Sequence, residues 1–158
     1  MHFKIFLPLF AAALLLSFGV LKADIKESAG ITEPAQEETM IYAYVNGERL
    51  TIQPAENSAA NAFLALLAQG DLTVEMHDYG SFEKVGSLGA TLPTNDETIT
   101  TQPGDVILYQ GNSITIYYDT NTWDFTRLGK VQSVTQDKLM EILGDGDVTV
   151  TFSTNGGS

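Results

Sequence analysis

The sequence predicts a mainly β domain, a closed or nearly closed antiparallel barrel of eight short strands with two short helices. Three observations carry this expectation. From residue 40 onward, runs of four to eight residues alternate apolar with polar side chains and are rich in β formers. Turn signals built on Gly, Pro and Asn separate them. Only two segments change to helical spacing, and the elements do not alternate as a βαβ series would.

The elements follow in order. Residues 40–45 and 48–53 flank Asn46-Gly47, the strongest two-residue hairpin signal, and form a first hairpin. Over residues 56–69 the period changes: Ala59, Ala60, Phe63, Leu64, Leu66 and Leu67 recur at helical spacing. Asn57 or Ser58 can cap that helix, and Gly70 stands where a left-handed stop is wanted. Residues 72–79 return to alternation. Residues 80–95 carry Gly80, Gly86, Gly89 and Pro93 among Phe82, Val85, Leu88 and Leu92, so they read as an ordered, packed flap or rim.

Residues 98–101 form a short strand, and Gln102-Pro103-Gly104-Asp105 a tight turn. Strands at 106–110 and 113–118 flank a Gly111-Asn112 hairpin loop, and a turn at 119–122 leads to a strand at 123–128. Thr135 can cap a helix at 136–143 that Gly144 stops, and residues 147–152 are the last strand. No internal repeat is visible.

Composition narrows the chemistry. The chain has 158 residues, 44% of them hydrophobic and 18% charged, a globular balance with room for one domain. With no cysteine it can hold no disulfide, thiolate zinc site, Cys nucleophile or iron–sulfur cluster. Twenty acidic against eight basic residues give a net charge of −12, which argues against a nucleic-acid partner.

The N-terminus reads as a targeting segment. A short basic start precedes an uncharged apolar run over residues 5–21, and Ala23 is a plausible cleavage position, so residues 1–23 are expected to be a signal peptide. The alternative is a retained anchor, although the run is at the short limit for spanning and contains Pro8. Cleavage removes Lys4 and Lys22 and leaves a chain two units more negative, exported to the periplasm or the exterior and without stable membrane insertion. Residues 24–38 read as an acidic linker, residues 39–153 as the domain and residues 154–158 as a flexible tail.

Motifs for catalysis are sparse. His77 is the one histidine outside the leader, which excludes a multi-His metal site, and no Gly-x-Ser-x-Gly elbow accompanies it. The Asp-rich stretches at 119–124 and 145–147 lack the spacing of a calcium loop, and Gly86-Ser-Leu-Gly89 lacks the lysine of a phosphate loop. Neither a metal nor any other cofactor is expected. On a strand, Trp123, Phe125 and Arg127 share one face, while Asp124, Thr126 and Leu128 share the other. The first set suits an apolar groove with one cationic donor. The plainer reading is two core aromatics and an arginine paired with one of the many carboxylates, since an arginine in a strongly acidic domain usually finds such a partner.

Three stretches carry a family resemblance. Asp78-Tyr-Gly-Ser-Phe-Glu-Lys-Val-Gly-Ser-Leu-Gly-Ala-Thr-Leu-Pro93, Thr100-Thr-Gln-Pro-Gly-Asp-Val-Ile-Leu-Tyr-Gln-Gly-Asn112 and Trp123-Asp-Phe-Thr-Arg-Leu-Gly-Lys130 together resemble the bacterial cyclophilin-like domain family over residues 40–153. The resemblance implies an eight-stranded barrel with helices closing its ends. Activity does not come with the fold name.

Prolyl isomerisation needs a proline pocket and a donor that weakens amide resonance, a role that an arginine fills in true cyclophilins, eight residues before a Gln-Gly-Gly. With Gln110-Gly111-Asn112 laid on that segment, the arginine position falls on Gln102. Arg127 could substitute only if the fold carries it to the same groove. The expectation is therefore a non-catalytic module for a small molecule or peptide, with ligand contacts from Tyr79, Phe82, Tyr109, Gln110, Trp123, Phe125 and Arg127. The alternatives are a peptidyl-prolyl isomerase or an interaction module of an envelope assembly.

Overall fold

The computed structural model describes residues 37–157. The expected signal peptide, and residues 24–36 of the expected linker, lie outside them. Nine strands and two helices follow in order: β1 (Ile41–Val45), β2 (Glu48–Pro54), α1 (Ser58–Leu67), β3 (Leu72–Tyr79), β4 (Glu83–Ser87), β5 (Glu97–Thr100), β6 (Asp105–Tyr109), β7 (Ser113–Tyr117), β8 (Thr122–Val131), α2 (Gln136–Leu143) and β9 (Val148–Ser153). Eight of the strands close a ring in the order β2-β1-β9-β3-β4-β7-β6-β8, and β8 returns to β2. All its pairings are antiparallel. The eight-stranded barrel expected from the pattern is present, with β5 added outside the ring on the first half of β8.

The eight staves are not the eight strands read from the pattern. The expected strand at 98–101 corresponds to β5, which pairs only with β8, Ile99 opposite Trp123. The missing stave is β4, which lies inside the segment read as a flap. Alternation is hidden there because Glu83 and Lys84 are both buried and Gly86 has no side chain to mark its face. A Cβ on Gly86 would run into the Glu75 carbonyl and the Val74 side chain, so glycine lets β4 lie close against β3. Residues 88–95 do pack down as a loop: Leu88 and Leu92 are buried, and their N–H groups donate to the carbonyls of Asn112 and Gly111.

Local chemistry explains the turns and caps. Asn46 and Gly47 both have positive φ, 50° and 78°, the backbone that a tight hairpin between right-twisted strands requires. The β6–β7 connection differs from the expected Gly111-Asn112 loop. Tyr109 pairs with Ser113, so the loop is Gln110-Gly111-Asn112, and Gln110 leaves the strand at φ 51°. Asn57 caps α1 by accepting from the Ala60 N–H, and Thr135 caps α2 by accepting from the Lys138 N–H. Helix α1 ends at Leu67, and Gly70 takes φ 149° rather than the left-handed stop expected of it.

The apolar residues that alternate inward from the staves join Phe63 and Leu67 of α1 and Leu139, Ile142 and Leu143 of α2 in one core. Phe63 meets Phe152 edge-on with centroids 5.8 Å apart. Closure depends on β8, which runs past the expected end at Leu128 to pair Gly129 with Pro54 and Val131 with Ile52. A bulge at Leu128 faces the β6 step from Val106 to Ile107. At Gly129 a Cβ would lie 2.6 Å from the Gln53 carbonyl oxygen and 2.7 Å from Ile52, so the seam admits no side chain there. Gly129→Ala is expected to destabilise the domain by about 3 kcal/mol in urea unfolding, the upper range for overpacking. A loss below about 0.5 kcal/mol, within the range of an ordinary surface substitution, would mean that the seam yields freely.

One charge is sealed by the core. Lys84 is fully buried, and its ammonium lies 2.7 Å from Asp78 Oδ1 and donates to the Gly146 carbonyl at 2.6 Å. Asp78 also accepts from the Tyr118 hydroxyl and the Gly146 N–H. Burial alone would raise the Asp78 carboxyl, but the Lys84 ammonium and these two donors outweigh it and hold it below its ordinary value of 3.8. A depressed carboxyl contributes stability above its unfolded value and loses it as pH falls through its folded value. Asp78→Ala should therefore cost about 3 kcal/mol at pH 7, the low end for stranding a buried charge. That cost should shrink in acid below pH 3.8. Lys84→Met, which removes the buried charge as well as the pair, should cost less; an equal or larger loss would contradict this account.

Candidate functional site

The outer face of the barrel carries a second apolar cluster. On β6 and β7 the outward residues Ile107 and Tyr117 are buried, as is Phe125 of β8, and Phe82, Ile99 and Tyr109 pack against them. Register brings them together: Tyr79 stands opposite Glu83, Glu83 opposite Tyr117, and Ile99 opposite Trp123. Tyr79, Phe82, Glu83, Tyr109, Tyr117, Trp123 and Phe125 among them line a concavity of about 530 Å³ on β3, β4, β6, β7 and β8, with Ile107 and Ile99 packed behind the aromatics. That volume falls in the range of small-molecule sites.

Its walls are largely aromatic. Phe82 stacks parallel to Tyr117 at 5.9 Å, Tyr117 tilts against Phe125 at 5.6 Å, and Tyr109 meets Phe125 edge-on at 6.4 Å. Phe82 owes its position to Gly80. The chain turns there at φ 61°, and a Cβ would occupy the space of the Phe82 ring. Two large aromatics at the site remain open to water: Tyr79 is 61% exposed and Trp123 63% exposed.

Polar groups enter from His77, Glu83, Gln110, Ser113 and Asn121. Glu83 stands apart from the rest. Only 7% of it is exposed, and its Oε2 is buried and accepts no hydrogen bond among the described residues. Burial pushes its carboxyl above the ordinary value of 4.5, a rise that the neighbouring Tyr117 hydroxyl and His77 only partly oppose. Burial and the adjacent Glu83 likewise push the Tyr117 phenol above its ordinary value of 10.0. Among the described residues, the groove included, no three His, Asp or Glu side chains converge to hold a metal ion.

Of the seven residues expected at the site, Tyr79, Phe82, Tyr109, Gln110, Trp123 and Phe125 all line this concavity. Arg127 does not. Its backbone lies on the same face, opposite Ile107, but its guanidinium donates at 2.8 Å to Asp105 Oδ1, and it borders a separate depression of about 210 Å³. Asp105 is fully buried and also receives Lys130 at 3.2 Å and the Gln102 N–H at 2.8 Å. The bulge at Leu128 makes this possible, because it turns Arg127 and Lys130, three residues apart, toward one carboxylate. Gln102, where the resemblance places the cyclophilin arginine, sits in the turn before β6 and outside the groove lining.

Glu83, Tyr117 and Asn121 are not among the seven. Tyr117 was accessible to sequence reasoning through the alternation of its strand. Glu83 was hidden by the reading of its stave as a loop.

A model of the cyclophilin-like family matches residues 43–153. The chain belongs to the cyclophilin-like family. Two solved structures share the barrel. One is the solution structure of the hypothetical protein AF2241 from Archaeoglobus fulgidus, with TM-score 0.56 and 12% identity over 75% of this chain and 95% of that one. The other is McbB in complex with tryptophan, with TM-score 0.54 and 14% identity over 75% of this chain. The match spans 45% of the McbB chain, less than half its length. No curated protein matches the sequence.

The raised Glu83 carboxyl has a consequence for stability. A carboxyl raised on folding costs nothing below its unfolded value, and its penalty is complete once pH exceeds its folded value. Glu83→Gln removes that penalty. It should raise the melting temperature at pH 7 and leave it nearly unchanged below pH 4.5. A fall in melting temperature at pH 7 would show that the charged carboxylate is stabilised in the fold.

Proposed function

We propose that this chain is an exported, non-catalytic binding module of the cyclophilin-like family, which holds an aromatic or apolar small molecule, or a peptide side chain, in the outer-face groove. The observation that carries the reading is the exposure of Tyr79 and Trp123 at a concavity already floored by buried aromatics. Two large aromatics left in water beside an apolar floor are a standing source of binding energy, and a flat ring is the shape that they and Phe82 can enclose. McbB, solved with tryptophan, offers support by analogy of fold alone. The export part of the proposal rests on the basic start and apolar run of the N-terminus.

The placement of Arg127 favours binding over prolyl isomerisation. An isomerase needs a donor over the proline pocket to weaken amide resonance. Here the guanidinium is engaged by Asp105, and the groove lining contains no arginine or lysine. In a protease-coupled assay on an Ala-Pro peptide, the rate should stay at its uncatalysed value; acceleration would overturn the non-catalytic part of the proposal.

Trp123 is the single tryptophan of the chain and reports on the groove directly. Titration with neutral aromatic probes, 4-methylphenol and N-acetylphenylalanine amide, should change its fluorescence saturably. Tyr79→Ala should weaken that binding about tenfold, as expected for loss of one aromatic contact. The binding proposal is lost if neither probe gives a saturable change.

A further inference from the structure

The groove contains one feature that a purely apolar ligand would leave unanswered. Glu83 Oε2 is buried at the aromatic site and accepts no hydrogen bond among the described residues. Buried Lys84 and the half-buried Arg127 and Lys130 are occupied elsewhere. Lys84, next in sequence, points into the barrel and pairs with Asp78, while Arg127 and Lys130 converge on Asp105. We propose that Glu83 is the anchor for a cationic amine, so that the groove selects ligands joining an aromatic or apolar body to a protonated nitrogen. This inference rests on the groove being a binding site and adds the charge and chemistry of what it holds.

Three independent features point to the same charge. A carboxylate oxygen can only accept, so its partner must bring an N–H or O–H. A charged N–H matches a carboxylate best, because charge-assisted hydrogen bonds are about twice as strong as neutral ones. The rings of Tyr79, Phe82, Tyr117 and Trp123 line the concavity, and an aromatic face met by a ligand attracts a cation and repels an anion. The chain as a whole carries a net charge of −12, which raises the local concentration of cations and lowers that of anions.

The cost of the arrangement also fits a binding role. Burial already disfavours the ionised carboxyl, and a bound ammonium would relieve that penalty. His77 on β3 lines the same concavity, but it is exposed and only partly offsets the burial of Glu83. A small ligand ammonium can enter the concavity, where the histidine ring is held on its strand.

The test compares three probes of similar size on the full domain, read by Trp123 fluorescence at pH 7: 2-phenylethylammonium, the neutral 3-phenylpropan-1-ol and the anionic 3-phenylpropanoate. The ammonium should bind roughly tenfold or more tightly than the alcohol, the ratio expected for a charge-assisted contact, and the anion should bind weakest. Glu83→Gln should bring the ammonium and the alcohol to within about threefold of each other, a gap smaller than one net hydrogen bond. Glu48→Gln, which removes an exposed charge on β2 away from the groove, should preserve the preference.

Equal affinity for all three probes in the native chain would overturn the anchor role of Glu83 while leaving the groove reading intact. A preference that survives in Glu83→Gln, or falls equally in Glu48→Gln, would assign it to the general field and overturn the proposal. If no probe binds, the groove reading fails, and the anchor fails with it. Even if Glu83→Gln folds poorly, the native chain can still overturn the proposal, since equal affinity for all three probes contradicts it.

Discussion

A sheet with two apolar faces is the constraint on which the rest of this molecule depends. On β6 and β7 the residues of both parities are buried, Val106 and Ile107, Ile114 and Tyr117 among them. One face fills the barrel and is closed off by ring formation and the two helices. The other must be covered from outside, and the chain does this only in part. Phe82 is folded back from the β3–β4 turn, Phe125 comes from β8 and Ile99 from β5. A closed barrel with polar exterior would need none of them. The groove is what remains where this outer covering stops.

The same constraint explains the position of β5. It adds no stave to the barrel, and its pairing with β8 brings Ile99 beside Trp123 on the outer cluster. Its backbone groups satisfy the free edge of the first half of β8, which the ring does not use. Asn95, just ahead of β5, ties this edge to the helix: its side chain accepts from the Ser58 hydroxyl and the Ala59 N–H at the start of α1. The helix start, the outer strand and the groove wall are therefore mechanically linked through a few hydrogen bonds.

Three buried charges are treated differently, and the contrast identifies the site. Lys84 is matched by Asp78, by Gly146 and, through Asp78, by Tyr118. Asp105 is matched by Arg127, Lys130 and the Gln102 N–H. Each of these groups gains partners that offset its desolvation. Glu83, one residue from Lys84 and on the opposite face of the same strand, keeps an oxygen without a partner. Adjacent residues with opposite treatment show that the local backbone does not prevent pairing. For these two neighbours the difference lies in which face of the strand each one serves, the sealed core for Lys84 and the open groove for Glu83.

The sequence by itself determined the class of fold, most of the strands and both helices, because alternation, turn residues and caps are local properties written in neighbouring side chains. It also pointed to part of the groove, since Trp123 and Phe125 share a strand face and Tyr79 and Phe82 belong to an apolar, glycine-rich rim. Tertiary structure alone decided that β4 is a stave and β5 is not, because a strand holding two buried charged residues and a glycine carries no alternation to read. It alone sent Arg127 to Asp105, since a one-residue bulge and a carboxylate 22 positions away are invisible to strand parity. And it alone isolated Glu83, because whether a buried carboxylate is paired depends on what the other strands bring across the sheet, a property of packing and not of sequence order.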